Sequence, residues 1–188
     1  MIPDWFFVIF APGMGGNHLA NLISTDIKFT PRAPDNFYNN LVNNAHTSND
    51  FVIDNVVNRP LNGNTVTCCH LGNYIWHQTK INNIIANKKH LVIEFPQHAR
   101  NSLFVRRLMQ LYPYYSNEFL IEELSTFYSV NTISKLIDTD DITPLTADKI
   151  FNKNCSELFE YLHNNFGLSL DQQAQDMHNN WIQMLERQ

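Results

Sequence analysis

Positive charge is scarce in this chain: 13 Lys and Arg stand against 18 Asp and Glu for a net charge of −5, and no basic run exceeds the pairs Lys88-Lys89 and Arg106-Arg107. Broad nucleic-acid binding needs a basic face that displaces counterions from phosphates, so that class is not expected. Cysteine is sparse too. Cys68, Cys69 and Cys155 form an odd set without C-x-x-C spacing, which argues against a disulfide framework or a zinc ribbon. Adjacent residues of a strand point to opposite faces, so Cys68 and Cys69 cannot easily clasp one ion, and the eight His include no H-E-x-x-H or H-x-x-x-H pair; no metal site is expected. No run of 18 apolar residues is present, and the N-terminus carries Asp4 where a secretory signal would be basic. The expectation is a cytoplasmic protein with no membrane partner. A G-x-S-x-G elbow is also missing, which leaves Ser-His-Asp hydrolysis without support.

What is present is a globular composition: 188 residues with 44% hydrophobic, 12% aromatic and 16% charged side chains. That length builds one domain, residues 1–188, with its own core and no need of staples. Asn is unusually frequent, at 25 positions, with clusters over Asn36 to Asn49 and Asn55 to Asn64 that read as surface loops.

The segment from Trp5 to Ser24 is the most informative. Trp5, Phe6, Phe7, Val8, Ile9 and Phe10 show no polar alternation, as expected of a central parallel strand covered on both faces. Pro12 stops the strand, and Gly13, Gly15 and Gly16 follow. Without a β-carbon these glycines reach positive φ at little cost and let successive N–H groups approach one anion. Leu19, Leu22 and Ile23 then recur at helical spacing, so a helix N-terminus with its positive dipole end lies over the loop. Strand, glycine turn and helix in this order predict a phosphate-cradling site over Gly13, Met14, Gly15, Gly16, Asn17 and His18. Two familiar versions do not fit. No Lys follows Gly16, so the G-x-x-x-x-G-K-[ST] loop of kinases is not matched, and G-x-G-G lacks the third glycine of a dinucleotide fingerprint.

Further along, Thr25 to Asn49 reads as a long irregular excursion, and Phe51 to Val57 as either a short strand or a helical turn. Thr65 to His70 and Leu91 to Phe95 are strand patterns, Tyr74 to Asn87 a crossover helix, and Leu103, Phe104, Val105 and Leu108 mark a helix after Pro96. Asn117 to Asp138 is mostly helical and Ile142 to Leu145 a last strand. Ser156 to Phe166, stopped by Gly167, and Asp171 to Glu186, capped by Asp171, complete the chain as helices. Alternating strand and helix predicts an α/β domain, a three-layer sandwich around a mainly parallel sheet.

The loop resembles that of the sulfotransferase family, P-K-x-G-T-[TS]-[WF]-L after a hydrophobic strand, with Pro12, Gly15 and Leu19 on matching positions. Short sulfotransferase-like proteins of bacteria and marine phages, with a P-G-x-G-G-N-x-L-A loop, are more similar still. The C-terminal order of Ile142 to Phe151, Asn165-Phe166-Gly167-Leu168 and Trp181 follows the same family pattern, and Cys69-His70-Leu71 resembles its T-H-L step. The resemblance implies a P-loop NTPase/sulfotransferase-like fold, the donor PAPS or its product PAP as bound nucleotide, and sulfuryl transfer to an unidentified hydroxyl or amine acceptor. It implies that residues 13 to 18 hold the 5′-phosphosulfate and that His70 is the base. At the end of a strand beside the loop, a His of near-neutral pKa would suit that task. Gly13 stands where the family has Lys, and Gly16, Asn17 and His18 replace its hydroxyl and aromatic residues. The family's 3′-phosphate site, an Arg after the third strand and a Ser further on, is not reproduced; Arg100 and Ser102 are the substitutes, with Arg106 and Arg107 nearby. Two other readings remain: a non-catalytic nucleotide- or anion-binding P-loop module, and a small nucleotide kinase or NTPase.

Overall fold

The computed structural model describes residues 5–11, 13–29, 65–70, 89–96, 101–127, 129–137 and 142–188. Strand β1 (Trp5–Phe10) leads into helix α1 (Gly16–Ile23); β2 (Thr65–His70) and β3 (Lys89–Glu94) follow, then α2 (Ser102–Leu111), α3 (Asn117–Phe127) and α4 (Val130–Ile137). Strand β4 (Ile142–Thr146) runs directly into α5 (Ala147–Ile150), and α6 (Ser156–Phe166) and α7 (Gln172–Glu186) end the described chain.

The four strands form one sheet in the order β2-β1-β3-β4, all neighbours parallel. Val8, Ile9 and Phe10 in β1 and Leu91, Val92 and Ile93 in β3 are buried in unbroken succession, so both faces of the central strands are covered, as their lack of polar alternation predicts. An α/β architecture with a parallel sheet is therefore what the chain adopts. The excursion beyond residue 29, the segment Phe51 to Val57 and the crossover helix over Tyr74 to Asn87 lie outside the described residues.

Because β2 lies on one side of β1 and β3 on the other, the winding of the chain reverses between β1 and β3. In open parallel sheets the loops after two such strands part at their carboxyl ends and leave a crevice. Here the connection after β1 is the glycine loop, and the helix after β3 is α2.

Two later helices close over this end of the sheet. Asn101 caps α2 by accepting the N–H groups of Leu103 and Phe104, and its Nδ2 donates to the Phe151 carbonyl at 2.8 Å, which ties α2 to the end of α5. Helix α7 starts at Asp171, whose side chain accepts the Ala174 N–H at 3.1 Å. It buries Ala174, His178, Ile182 and Leu185 along one stripe, the spacing that lays a helix against a core.

Candidate anion site at the carboxyl end of β1

The loop is tighter than a run of glycines requires. The Met14 N–H donates to the Ala11 carbonyl at 3.2 Å, and Gly13 before it has φ 87°, a left-handed backbone that glycine adopts at little cost. Met14 is fully buried, and its sulfur accepts the Ala11 N–H at 3.3 Å, so this residue braces the turn from inside. Gly15 caps α1 at φ 74° with no side chain of its own, and the first intrahelical bond runs from the Leu19 N–H to the Gly15 carbonyl at 2.9 Å.

Each glycine also answers to packing. A β-carbon on Gly16 would fall 2.1 Å from the Phe10 ring, and one on Gly15 would press on Ile150, Phe151 and Trp181 at 3.0 to 3.4 Å. Gly13 faces Leu111, whose Cδ1 lies 2.5 Å from where a β-carbon would be. The glycines thus allow the helix to start close against the last residue of β1.

Above the turn lies a cavity of about 270 Å³. Gly13, Gly15, Gly16, Asn17 and His18 line it on the α1 side, Arg107 and Leu111 from the last turns of α2, and Trp181 and Met184 from α7. The volume is near the lower end for small-ligand pockets, which start at roughly 300 Å³. The Arg107 guanidinium donates from Nη1 to the Gln110 side-chain oxygen at 3.2 Å and forms no ion pair among the described residues. It lines the same cavity as the positive end of α1, and both favour an oxyanion there.

The most unusual group in the wall is His18, 8% exposed and stacked on Trp181 with ring centroids 4.0 Å apart and planes 8° apart. Its Nε2 lies 3.1 Å from Nδ1 of the fully buried His178, whose Nε2 lies 2.8 Å from the Asn152 carbonyl. A carbonyl can only accept, so His178 carries its proton on Nε2 and offers the Nδ1 lone pair to a proton on His18 Nε2. Burial, joined by the neighbouring His178, pushes the His18 pKa down to about 3, and burial also lowers that of His178; both rings are neutral near pH 7. An aromatic file of Phe95, Phe104, Phe151 and Trp181, with successive centroids 5.0 to 5.3 Å apart, continues from the core to this pair.

Of the residues singled out from sequence, Gly13, Gly15, Gly16, Asn17 and His18 come together at the cavity, whereas Met14 turns into the core. His70 ends β2 in register with Phe10 at the end of β1, which puts its backbone beside the loop; its side chain lies outside the described set, as does that of Ser102, the first residue of α2. Arg100 also lies outside the described residues; among those described, the cation lining the cavity is Arg107, about one and a half turns into α2. His178 was not foreseen. Its signal is the i, i+3 spacing to Trp181, which places both on one face of α7. Among the described residues no group of three or more His, Cys, Asp and Glu could hold a metal ion, and no helix is long and apolar enough to cross a membrane. No protein-family model, curated protein or solved structure matches the chain.

Proposed function

We propose that this protein binds a phosphate-bearing nucleotide in the cleft at the carboxyl end of β1, and that PAPS or PAP, the ligand suggested by the loop's resemblance to sulfotransferases, is that nucleotide. The observation that carries the reading is the convergence of the α1 N-terminus and the Arg107 guanidinium on one cavity at the point where the strand order reverses. In this reading the parallel sheet is the core of a P-loop, sulfotransferase-like three-layer sandwich. The turn from Gly13 to His18 receives the 5′-phosphate end, Arg107 supplies the charge that a loop Lys would bring, and Trp181, Leu111 and Met184 form an apolar wall for the nucleoside. Arg100 and Ser102, at the approach to α2, are the candidates for the 3′-phosphate.

Sulfuryl transfer follows if His70 removes the proton of an acceptor hydroxyl while the loop holds the departing phosphate; its place level with Phe10 supports this role. A non-catalytic module is favoured by a different observation. Gly13 occupies the family's Lys position at φ 87° with Leu111 packed over it, so the turn offers no side-chain cation to the leaving group.

Thermal denaturation with PAP, with ATP and magnesium, and with neither tests the ligand: PAP is expected to raise the melting temperature most, because only a ligand of the native state stabilises it. Equal or reversed shifts count against PAP. Labelled PAPS with a panel of acceptors then separates the readings. Transfer that falls ~10²-fold in His70→Asn with PAP binding retained marks an enzyme, and tight PAP binding without transfer marks the module.

A further inference from the structure

We propose that His178 is the positioning residue of the anion site: through one directed hydrogen bond it grips His18, the third residue of α1, and so fixes the first turn of that helix at the cleft. The inference rests on the cleft being an anion site and adds which side chain, behind its wall, holds the site in register.

Helix α1 starts differently from the helices around it. Helices α2 and α7 are each capped by a side chain, Asn101 and Asp171, that accepts first-turn N–H groups. The cap of α1 is Gly15, which makes no side-chain hydrogen bond. That suits a ligand, yet it also removes the bond that ordinarily fixes where a helix begins. The first intrahelical bond runs from the Leu19 N–H to the Gly15 carbonyl. Ahead of it the turn is held by packing and by the side chain at its third position, His18. Helix α7 holds that ring in two ways, by the parallel face of Trp181 with centroids 4.0 Å apart and by Nδ1 of His178 at 3.1 Å from Nε2. A stack keeps two rings at one separation but lets them slide over each other, whereas a hydrogen bond sets both distance and direction.

His178 is itself anchored to backbone. Its Nε2 donates to the Asn152 carbonyl at 2.8 Å, and the carbonyl of the preceding residue, Phe151, accepts from Nδ2 of Asn101, the cap of α2. Two successive carbonyls therefore serve both sides of the cleft. One ties in α2, which carries Arg107, and the other ties in α1 by way of His178 and His18. An anion held between a helix N-terminus and a guanidinium needs the two to keep their spacing, and contacts of this kind tolerate displacements of only about 0.5 Å. His178 is fully buried and does not line the cavity, so it acts through His18 and not on the ligand.

The test compares binding of PAP and of inorganic phosphate, by calorimetry and by titration of backbone amide resonances, to the full chain and three variants. His178→Leu fills the space with apolar atoms and leaves the His18 N–H and the Asn152 carbonyl without their partner. Affinity for both probes is expected to fall ~10-fold or more, the scale seen when groups that orient metal-binding side chains are removed, and the shifts of the residue 16 to 18 amides at saturating phosphate to shrink. His178→Gln, with an amide N–H for Asn152 and an amide oxygen for His18, is expected to restore most of the affinity. Asp26→Ala, which loses buried hydrogen bonds to Lys28 and Ser169 outside the cleft, is the stability control and is expected to lower the unfolding midpoint with affinity kept. In the wild type, a nitrogen–nitrogen scalar coupling across the bond between His18 Nε2 and His178 Nδ1 gives a readout that needs no variant to fold. Wild-type affinity in folded His178→Leu, an equal loss in Asp26→Ala, His178→Gln as weak as His178→Leu, or absence of the coupling overturns the inference and leaves the anion site standing. Binding of neither probe by the wild type overturns both.

Discussion

At the residue scale, one charge stands out in the cleft. Among the described residues the side chain of Arg107 is held by one neutral partner, Gln110, so its removal is expected to cost binding and not folding. Arg107→Ala should weaken PAP or phosphate affinity by roughly tenfold while changing the unfolding free energy by less than ~0.5 kcal/mol, as surface substitutions do; calorimetry and urea titration read the two effects separately. Gly16 behaves oppositely. A methyl group there meets the Phe10 ring at 2.1 Å, within the buried junction of β1 and α1. Gly16→Ala should destabilise the protein by ~1–3 kcal/mol, the usual cost of overpacking. A urea midpoint unchanged from wild type would show that Phe10 moves aside freely. The glycines were legible in the sequence as a turn because spacing and flanks are local. That Gly15 and Gly16 also make room for Phe10, Phe151 and Trp181 was not, since those neighbours come from three separate elements.

At the scale of elements, capping side chains decide where helices begin and how they are joined. The residues Asn117 to Asp138 read as one mostly helical stretch, and the structure divides them into α3 and α4. The reason is partly local, since the Ser129 hydroxyl accepts the Thr132 N–H at 3.2 Å, and partly distant, since the Glu94 carboxylate accepts the Val130 N–H at 2.7 Å from the end of β3. A carboxylate at a helix start stabilises it through the dipole as well as the bond. Strand β3 likewise begins at Lys89, two residues before the apolar run at Leu91, because its pairing with Phe6 extends it. A further link, between the turn after α1 and the connection from α6 to α7, is Asp26, almost fully buried, with one oxygen accepting the Lys28 N–H at 2.8 Å and the other the Ser169 N–H at 2.6 Å. Asp26→Ala leaves both donors without their acceptor, and a loss of ~2–4 kcal/mol in the unfolding free energy is expected. Asp26→Asn, which keeps one carbonyl oxygen, should lose less, and denaturant unfolding of the pair checks the order.

For the whole molecule, the buried imidazole pair ties stability to pH. His18 and His178 both have pKa values below that of an unfolded His, near 6.5. The unfolded chain therefore binds more protons than the fold as the pH drops below ~6.5, so stability is complete above that value and declines with acid until the folded pKa is reached, about 3 for His18. Each ring that stays neutral in the fold contributes a slope approaching ~1.4 kcal/mol per pH unit. Denaturation at intervals from pH 7.5 to 4 should show the decline, and His178→Gln should make it shallower by removing one of the two groups. An identical slope in that variant would show that carboxylates elsewhere govern the acid response.

What the sequence by itself determined is what depends on neighbours along the chain. The β1, β2 and β4 patterns, the caps at Asp171 and Gly167, the turn glycines and the parallel α/β class all rest on spacing that hydrophobic periodicity and backbone sterics convert directly into local structure. The tertiary structure alone decided which residues share the cleft. Arg107 reaches it because α2 follows the strand on the far side of β1, and His178 and Trp181 because α7 lies against α1. His18 and His178 are 160 positions apart, and the proton arrangement of the pair is set by a backbone carbonyl at Asn152. Every residue has such a carbonyl, so no residue type at position 152 could have announced it. Charge, tautomer and burial at this site are properties of the packed assembly of helices, and they come into being only when the fold excludes water from it.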